Sequence, residues 1–419
     1  MKVHLYGNTL NNSYNLTIFL RELGIDAHFF LDNHSPLQQD YPWWEDKDIS
    51  VSNLPDWIHY FPAKPFFLFP GKTIRNLIKE FGKCDIALVC GYGPIVAMKA
   101  KVPFVFYSAG SDLNCLDVKE ELISIFRTKS TIKAKILRLI KILTFTPLQK
   151  KALQQKANRI MVGMGYQVKS YVNKFGLAHK TTKHRLAWDI NKYAIKPNTT
   201  LTEKYKSFDI VFFMIARHNF SSVWLDIKGN DKFLEAFATF VSESKKNVKL
   251  ILINKGSDVH LSKKIIEKHK IEDYIEWVEM MDKDGIRAYE SIPNCVVVDQ
   301  FWHDDIGQRF VADKGNPKMG FGSGAVEALA ASKPLITAFT DVEFYDNNTP
   351  PILAAFTKNE ILARLNEVYN MSPKDRADMG QKGHDFVVRW HDYKNTLPIY
   401  INAMKEVLVE LNMKAKVQE

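Results

Sequence analysis

The sequence predicts a doubly wound α/β fold, built twice. Three observations carry that expectation: short β-rich apolar runs alternate with helical patterns along nearly all of the 419 residues, the runs are apolar without alternation, and one break in periodicity falls near the middle. Continuous apolar runs separated by helices indicate parallel sheets covered on both faces. A chain of this length exceeds what one core usually sustains, so two domains of roughly 200 residues each follow.

The first set of runs lies at 3–6, 27–31, 86–90, 103–107 and 159–163, and the second at 210–215, 249–253, 295–298 and 334–338. Between them Lys196-Pro197-Asn198-Thr199-Thr200 interrupts the pattern, and a fresh strand begins after Phe208-Asp209. The expected domains are 1–195 and 196–390, with 391–419 a C-terminal helix packing back toward the first. Within the second, residues 231–241 place Phe233, Leu234, Phe237, Phe240 and Val241 on one helical face. Two such sheets facing one another leave a central cleft at the carboxyl ends of their strands, where ligands bind in folds of this class.

Hydrophobic content of 46% and charged content of 25% are ordinary for a globular protein. The chain shows no internal repeat and no low-complexity segment. No leader-like N-terminal pattern and no run of about 18 apolar residues occurs, which points to the cytoplasm. Cys84, Cys90, Cys115 and Cys295 are scattered, so free thiols are expected rather than a disulfide framework or structural zinc. The net charge of +10 is concentrated: residues 122–159 hold ten Lys or Arg and no Asp or Glu.

Met319-Gly320-Phe321-Gly322-Ser323-Gly324 reads as a glycine-rich turn opening a helix, and Glu327 sits about one turn in. Glycines let a backbone lie close to a ligand, and a helix start offers unpaired N–H groups to an anion. Gly320, Gly322, Ser323 and Gly324 are therefore candidate donor-binding residues, and Glu327 is placed to accept from sugar hydroxyls. Gly7-Asn8, just after the first strand, would line the cleft from the N-terminal side.

Taken in order, these segments resemble the retaining GT-B glycosyltransferases of the family 4 type, the glycosyl transferases group 1 that build bacterial polysaccharides and glycolipids. Asn158-Arg159-Ile160-Met161-Val162-Gly163 is similar to the strand before the family's interdomain crossover, and residues 186–193 resemble its n-G-V-D-x-x-x-F signature. Arg217 and Lys228-Gly229 resemble the G-R and K-G pair, here separated by eleven positions. Residues 322–336 resemble the G-F-G…E-A-x-A-x-G-K-P-V-I segment with Glu327 as its second glutamate. Met319 stands where the first is frequent, and Asp299-Gln300 looks like a variant with an Asp-Gln pair, which makes Gln300 a donor-site candidate. In the first domain residues 103–112 resemble a strand ending in x-H-G-x-D, with Ala109 in place of His and Asp112 as the nearest acceptor-contacting candidate.

The resemblance implies transfer of a hexosyl-type group from a nucleotide sugar to a lipid-linked or cell-envelope glycan, such as a lipopolysaccharide precursor, with retention of configuration. Negative charge accumulates on the departing diphosphate, and cations there stabilise the transition state more than the ground state. Arg217 and Lys228 suit that role, with Glu327 as the third residue of the catalytic set. No cofactor is implied and no metal is expected; His303-Asp304-Asp305 reads as a solvated loop in preference to a metal site. Two other functions stay open: a nucleotide-sugar 2-epimerase of the same fold, and a GT-B-like binding subunit without activity.

In residues 132–143, Ile132, Ile136, Leu139, Ile140 and Leu143 share one helical face, and Lys133, Lys135, Arg138 and Lys141 occupy the other side. Such a helix suits an anionic membrane surface, which would put the protein at the inner face of the cell membrane; burial of the same stripe against its own domain is the alternative. Nucleic acid is not an expected partner, since no binding module is recognisable. The aromatic segment 41–70 is either an acceptor loop or a lid packed on its own fold.

Overall fold

The structure is a computed structural model of the 419-residue chain. It describes residues 1–33, 40–63, 70–109, 111–127, 131–163, 171–194, 197–221, 228–243, 246–301 and 320–418. The chain divides into two compact units, Met1–Trp188 with Asp392–Glu419, and Asp189–His391.

The first unit is wound on seven parallel strands: β1 (Lys2–Tyr6), β2 (Asp26–Asp32), β3 (Ile58–Phe61), β4 (Ile86–Val89), β5 (Phe104–Tyr107), β6 (Arg159–Val162) and β7 (Thr181–Lys183). Their order is β3-β2-β1-β4-β5-β6-β7, with every pairing parallel. Its helices are α1 (Asn12–Glu22), α2 (Lys72–Phe81), α3 (Gly93–Ala100), α4 (Val118–Arg127), α5 (Ile132–Lys151) and, returning from the far end of the chain, α13 (Tyr393–Gln418). Leu397, Tyr400, Ala403, Met404 and Val407 of α13 share one buried cluster with Val3, Leu5, Leu88 and Val105. The last helix is thus part of the first unit's core.

The second unit holds β8 (Ile210–Met214), β9 (Val248–Ile253), β10 (Ile275–Val278), β11 (Cys295–Val298), β12 (Leu335–Thr337) and β13 (Leu353–Ala354), ordered β10-β9-β8-β11-β12-β13 and again all parallel. Covering helices are α6 (Thr199–Tyr205), α7 (Asn230–Glu243), α8 (Val259–His269), α9 (Lys283–Glu290), α10 (Ser323–Ala330), α11 (Lys358–Asn370) and α12 (Pro373–His391). The expected face of α7 is buried: Phe233, Leu234, Phe237, Phe240 and Val241 pack with Ile210, Phe212, Leu250 and Val296. A capping box of Thr357 and Glu360 fixes the start of α11.

Both sheets are doubly wound, as the apolar runs predicted. Each changes winding direction once, between β1 and β4 in the first unit and between β8 and β11 in the second. Loops leaving neighbouring strands at such a point diverge and leave room for a ligand beyond the carboxyl ends.

The strands absent from the sequence expectation are β3, β7, β10 and β13. They lie at or next to sheet edges, and they are short, polar or only half-buried. The continuous apolar signature belongs to strands covered on both faces, so edges escape it. Part of the aromatic segment is corrected accordingly: Ile58–Phe61 is strand β3, not loop. Its rings serve the unit's own packing, with Trp57 stacked on Tyr14 at 5.9 Å, Tyr41 on Trp43 at 4.8 Å, and Trp43 edge-on to Tyr60. Phe66, Phe67 and Phe69 lie outside the described residues.

Candidate donor site

The carboxyl ends of β8 and β11 lie side by side, with Met214 opposite Val298. Arg217 follows β8, and Asp299 and Gln300 follow β11. Lys228 joins them through the backbone: its N–H donates to Asn219 O at 2.7 Å and its carbonyl accepts from Phe301 N at 2.8 Å. Its ammonium Nζ donates to Gln300 Oε1 at 2.7 Å. The eleven-residue separation of Arg217 and Lys228 therefore does not scatter them, because hydrogen bonds return the chain to the same strand end. The intervening residues 222–227 lie outside the described residues.

Helix α10 opens over this corner. Its N-cap is Gly322, which has no side-chain cap, so the first-turn N–H groups of Ser323, Gly324 and their successors are not closed off by the cap residue. A side chain at either glycine would crowd its neighbours. A Cβ on Gly322 would stand 3.0 Å from Gln300 Nε2 and 3.1 Å from Asp299 Oδ2, and one on Gly324 would stand 2.6 Å from Ile215 Cδ1. Gly320 is half-buried just before the turn, and Met319 lies outside the described residues. Asp299, Gln300, Lys228 and the start of α10 are thus packed together.

Glu327, one turn into α10, is buried and pairs with Lys283 at the start of α9, Oε1 to Nζ 3.5 Å. Lys283 also reaches Tyr193 Oη at 3.3 Å, within the same unit. Asp299 is buried with Oδ2 lacking a hydrogen-bond partner among the described residues. Burial pushes its carboxyl up to about 6, Glu327 adding and Lys228 opposing. The corner is therefore rich in cations and amide hydrogens, with carboxylates set among them, which suits an anion carrying hydroxyl groups.

Lys255 and Lys283 were not singled out by sequence, and of the Asp299-Gln300 pair only Gln300 was taken as a site candidate. Lys255 follows β9, and burial together with the neighbouring charge of Arg217 lowers its pKa while Glu327 opposes. The position of all three just beyond strand ends, or at a helix start over them, is the signal that finds them once the sheet order is known.

In the first unit, Gly7 follows β1 with φ 87°, and a Cβ there would lie 2.3 Å from Cys90 O. Only glycine allows that contact across the β1/β4 divide. Asn8 is buried and its side chain is engaged: Nδ2 donates to Asn11 Oδ1 and Asp40 O at 2.7 Å each, and Oδ1 accepts from Tyr14 N at 3.0 Å. Asp112 Oδ2 accepts from Ala109 N at 2.8 Å, and burial raises its pKa while N–H groups of Ala109 and Gly91 oppose. Asn8 and Asp112 thus hold the two loops beside Gly7.

Helix α5 presents its apolar stripe outward. Ile132 is 78% exposed, Ile136 52%, Leu139 40%, Ile140 45% and Leu143 65%. Arg138 pairs with Glu121 at 3.3 Å, and Lys141 lies over the Tyr92 ring. Among the described residues no helix is long and apolar enough to cross a membrane. Cys84, Cys90 and Cys295 are free thiols. His303-Asp304-Asp305 lies outside the described residues.

Residues 220–385 match the sequence model of the family glycosyl transferases group 1. No curated protein matches the chain by sequence. Among solved structures, Anabaena Alr3699/HepE in complex with UDP and glucose is 13% identical over 99% of this chain and 100% of its own, with a TM-score of 0.62. A glycosyltransferase from Rickettsia africae is 12% identical over 97% and 98%, with a TM-score of 0.64. WaaG, a glycosyltransferase involved in lipopolysaccharide biosynthesis, is 12% identical over 97% and 99%, with a TM-score of 0.57. The chain resembles the GT-B glycosyltransferases in fold along nearly its whole length, and its residues 220–385 are similar to the glycosyl transferases group 1.

Proposed function

We propose that this protein moves a sugar from a nucleotide-sugar donor to a lipid-linked or cell-envelope glycan, with retention and without a metal ion. The observation that carries the reading is the corner at β8 and β11, where Lys228, held by Gln300, meets the glycine-opened start of α10 bearing Glu327. HepE, a protein of the same fold, has been captured with UDP-glucose, which supports the donor class.

In the proposed reaction the bond from the anomeric carbon to the diphosphate oxygen breaks and the acceptor oxygen bonds to that carbon on the same face. The acceptor's proton passes to the departing phosphate, so no protein base is required, in keeping with Ala109 in place of His. Arg217 and Lys228 stabilise the charge that develops on the diphosphate, helped by N–H groups of Gly322, Ser323 and Gly324. Glu327 accepts from donor hydroxyls while Lys283 holds it. These positive groups supply the charge stabilisation a divalent ion would otherwise give, so activity should persist in chelator. Gly7, Asn8 and Asp112 are assigned to the acceptor side through the loops they shape.

The lipid-linked acceptor is favoured by the outward apolar stripe of α5 flanked by Lys133, Lys135 and Lys141. The same stripe supports an anionic membrane surface as the enzyme's working location.

Turnover of UDP-, GDP- and ADP-sugars, followed by nucleotide release and glycoside product, tests the assignment. Lys228→Ala should lower kcat/KM for the active donor by about 100-fold or more, since it removes a preorganised charge at the leaving group. Unchanged turnover would refute the site. Release of nucleotide with a free epimerised sugar instead of a glycoside would favour the epimerase.

A further inference from the structure

The amino end of the second unit's sheet carries a cavity of its own. Phe208-Asp209, Pro293-Asn294 and Ser332-Lys333-Pro334 lead into β8, β11 and β12, which are neighbours in the sheet, and they form the floor of a cavity of about 550 Å³. Its sides are α6, through Thr202, and the first turns of α12, through Arg376 and Ala377. Every one of these residues belongs to the second unit. The donor corner lies at the other end of the same strands, ~15 Å away at ~3.3 Å per residue. A volume between roughly 300 and 1,000 Å³ is that of a small-molecule site.

The walls are fixed by contacts outside the cavity. Gly380 seats α12 on the turn that follows α10, since a Cβ there would run into Ser332 O. His384 Nδ1 donates to Ala330 O at 2.9 Å, and Asn294 Nδ2 donates to Phe208 O. The cavity is therefore preformed.

Two cations on different walls keep donors to spare. Lys333 is buried, yet its ammonium makes one hydrogen bond, Nζ to Ile292 O at 3.0 Å, and no ion pair among the described residues. Glu290 is near enough to act on it, but neither oxygen of Glu290 is hydrogen-bonded. An ammonium has three donors, and burying it is costly while they go unmet. Arg376 uses Nη1 alone, donating to Val368 O at 3.3 Å and Met371 O at 2.7 Å, so Nε and Nη2 have no hydrogen bond among the described residues. Lys206, the remaining cation on the lining, is paired with Glu203. Asp209, the one carboxylate on the lining, accepts from Tyr369 Oη at 3.0 Å. The hydroxyls of Thr202 and Ser332 have no partner among the described residues, and Phe208 and Pro334 add flat apolar faces.

We infer that this cavity is a second ligand site, for a phosphorylated sugar, with Lys333 and Arg376 on the phosphate, Thr202 and Ser332 on sugar hydroxyls, and Phe208 with Pro334 against the ring. A phosphate monoester brings about two negative charges and three acceptor oxygens, enough to serve cations on separate walls at once. The site stands apart from the donor corner, so its occupant binds in addition to the donor and the inference does not depend on the donor-site reading.

Isothermal titration calorimetry on the full chain tests it, with glucose 1-phosphate and glucose 6-phosphate as probes and with glucose and inorganic phosphate as controls. For whichever ester binds the wild-type chain, Arg376→Gln should weaken affinity about 10-fold or more, the effect of a lost charge-assisted contact. Arg376 also holds carbonyls at the end of α11, so a second variant guards against a folding defect. Ala377→Phe removes no hydrogen bond, sits at an exposed position and narrows the cavity; it should also weaken the ester about 10-fold or more with an unchanged thermal midpoint. Lys228→Ala, at the other end of the sheet, should leave ester affinity within about twofold. Undiminished affinity in Ala377→Phe overturns the inference, as does a loss in Lys228→Ala, which would put the ester in the donor corner. Equal affinity for the ester and for either control, or no binding of either ester, overturns it as well.

Discussion

Glu290 is fully buried on α9, and neither carboxylate oxygen has a hydrogen-bond partner among the described residues. Burial, reinforced by the charge of Glu327 and opposed by Lys333 and Arg287, pushes its pKa up from 4.5 to about 8. The folded state holds this proton more tightly than the unfolded state does, so stability is fully present below pH 4.5 and declines as pH rises toward about 8. Glu290→Gln removes the titration. Unfolding free energies from urea melts at pH 5 and pH 8 should then differ less than in the wild type, by an amount on the order of 3 kcal/mol. A slope equal to the wild type's would contradict the assignment. Asp299 shifts in the same direction and leaves some slope in the variant. At this scale Lys228, Gln300 and Glu327 could be named as candidates from sequence because they sit in ordered motifs. Lys255, Lys283 and Glu290 were not, because what makes them matter is a neighbour from another loop, and sequence distance conceals it.

Helix α5 is the element whose sequence signal and structure meet most usefully. Its apolar stripe could have been spent on the unit's own sheet, and the exposures of Ile132, Ile136 and Leu143 show that it is not. Side chains that are already in water contribute little to folding, so Ile136→Ser with Leu143→Ser should move the thermal midpoint by no more than the equivalent of about 0.5 kcal/mol. The same variant should lose sedimentation with vesicles rich in anionic lipid, as should reversal of Lys133, Lys135 and Lys141 to Glu. Undiminished sedimentation of both variants would remove the membrane from the proposal, and a large fall in thermal midpoint would show the stripe to be packed. The central strands were legible as uninterrupted apolar runs. The edge strands β3, β7, β10 and β13 were not, because half-exposed strands need no such runs.

At the scale of the whole molecule, the chain leaves its first unit at Trp188 and re-enters it at Asp392, where Tyr393 N donates to Trp188 O at 2.8 Å. Removing residues 392–419 strips Leu397, Tyr400, Met404 and Val407 from that unit's core and detaches Tyr400 Oη from His184 Nδ1 at 2.6 Å. A chain ending at 391 should therefore lose the cooperative melt of its first unit in calorimetry, while residues 189–391, with a buried cluster of their own, should still melt cooperatively. Two intact transitions in the truncated chain would refute this dependence. The sequence by itself determined the class of fold and its doubling, because burial on both faces of a parallel sheet writes its period into contiguous residues. Only the tertiary structure decided which residues share a corner: strand order and the hydrogen bonds between loops bring Arg217, Lys228, Lys255 and Glu327 to one end of one sheet, and contacts between residues far apart in the chain leave no periodic trace along it.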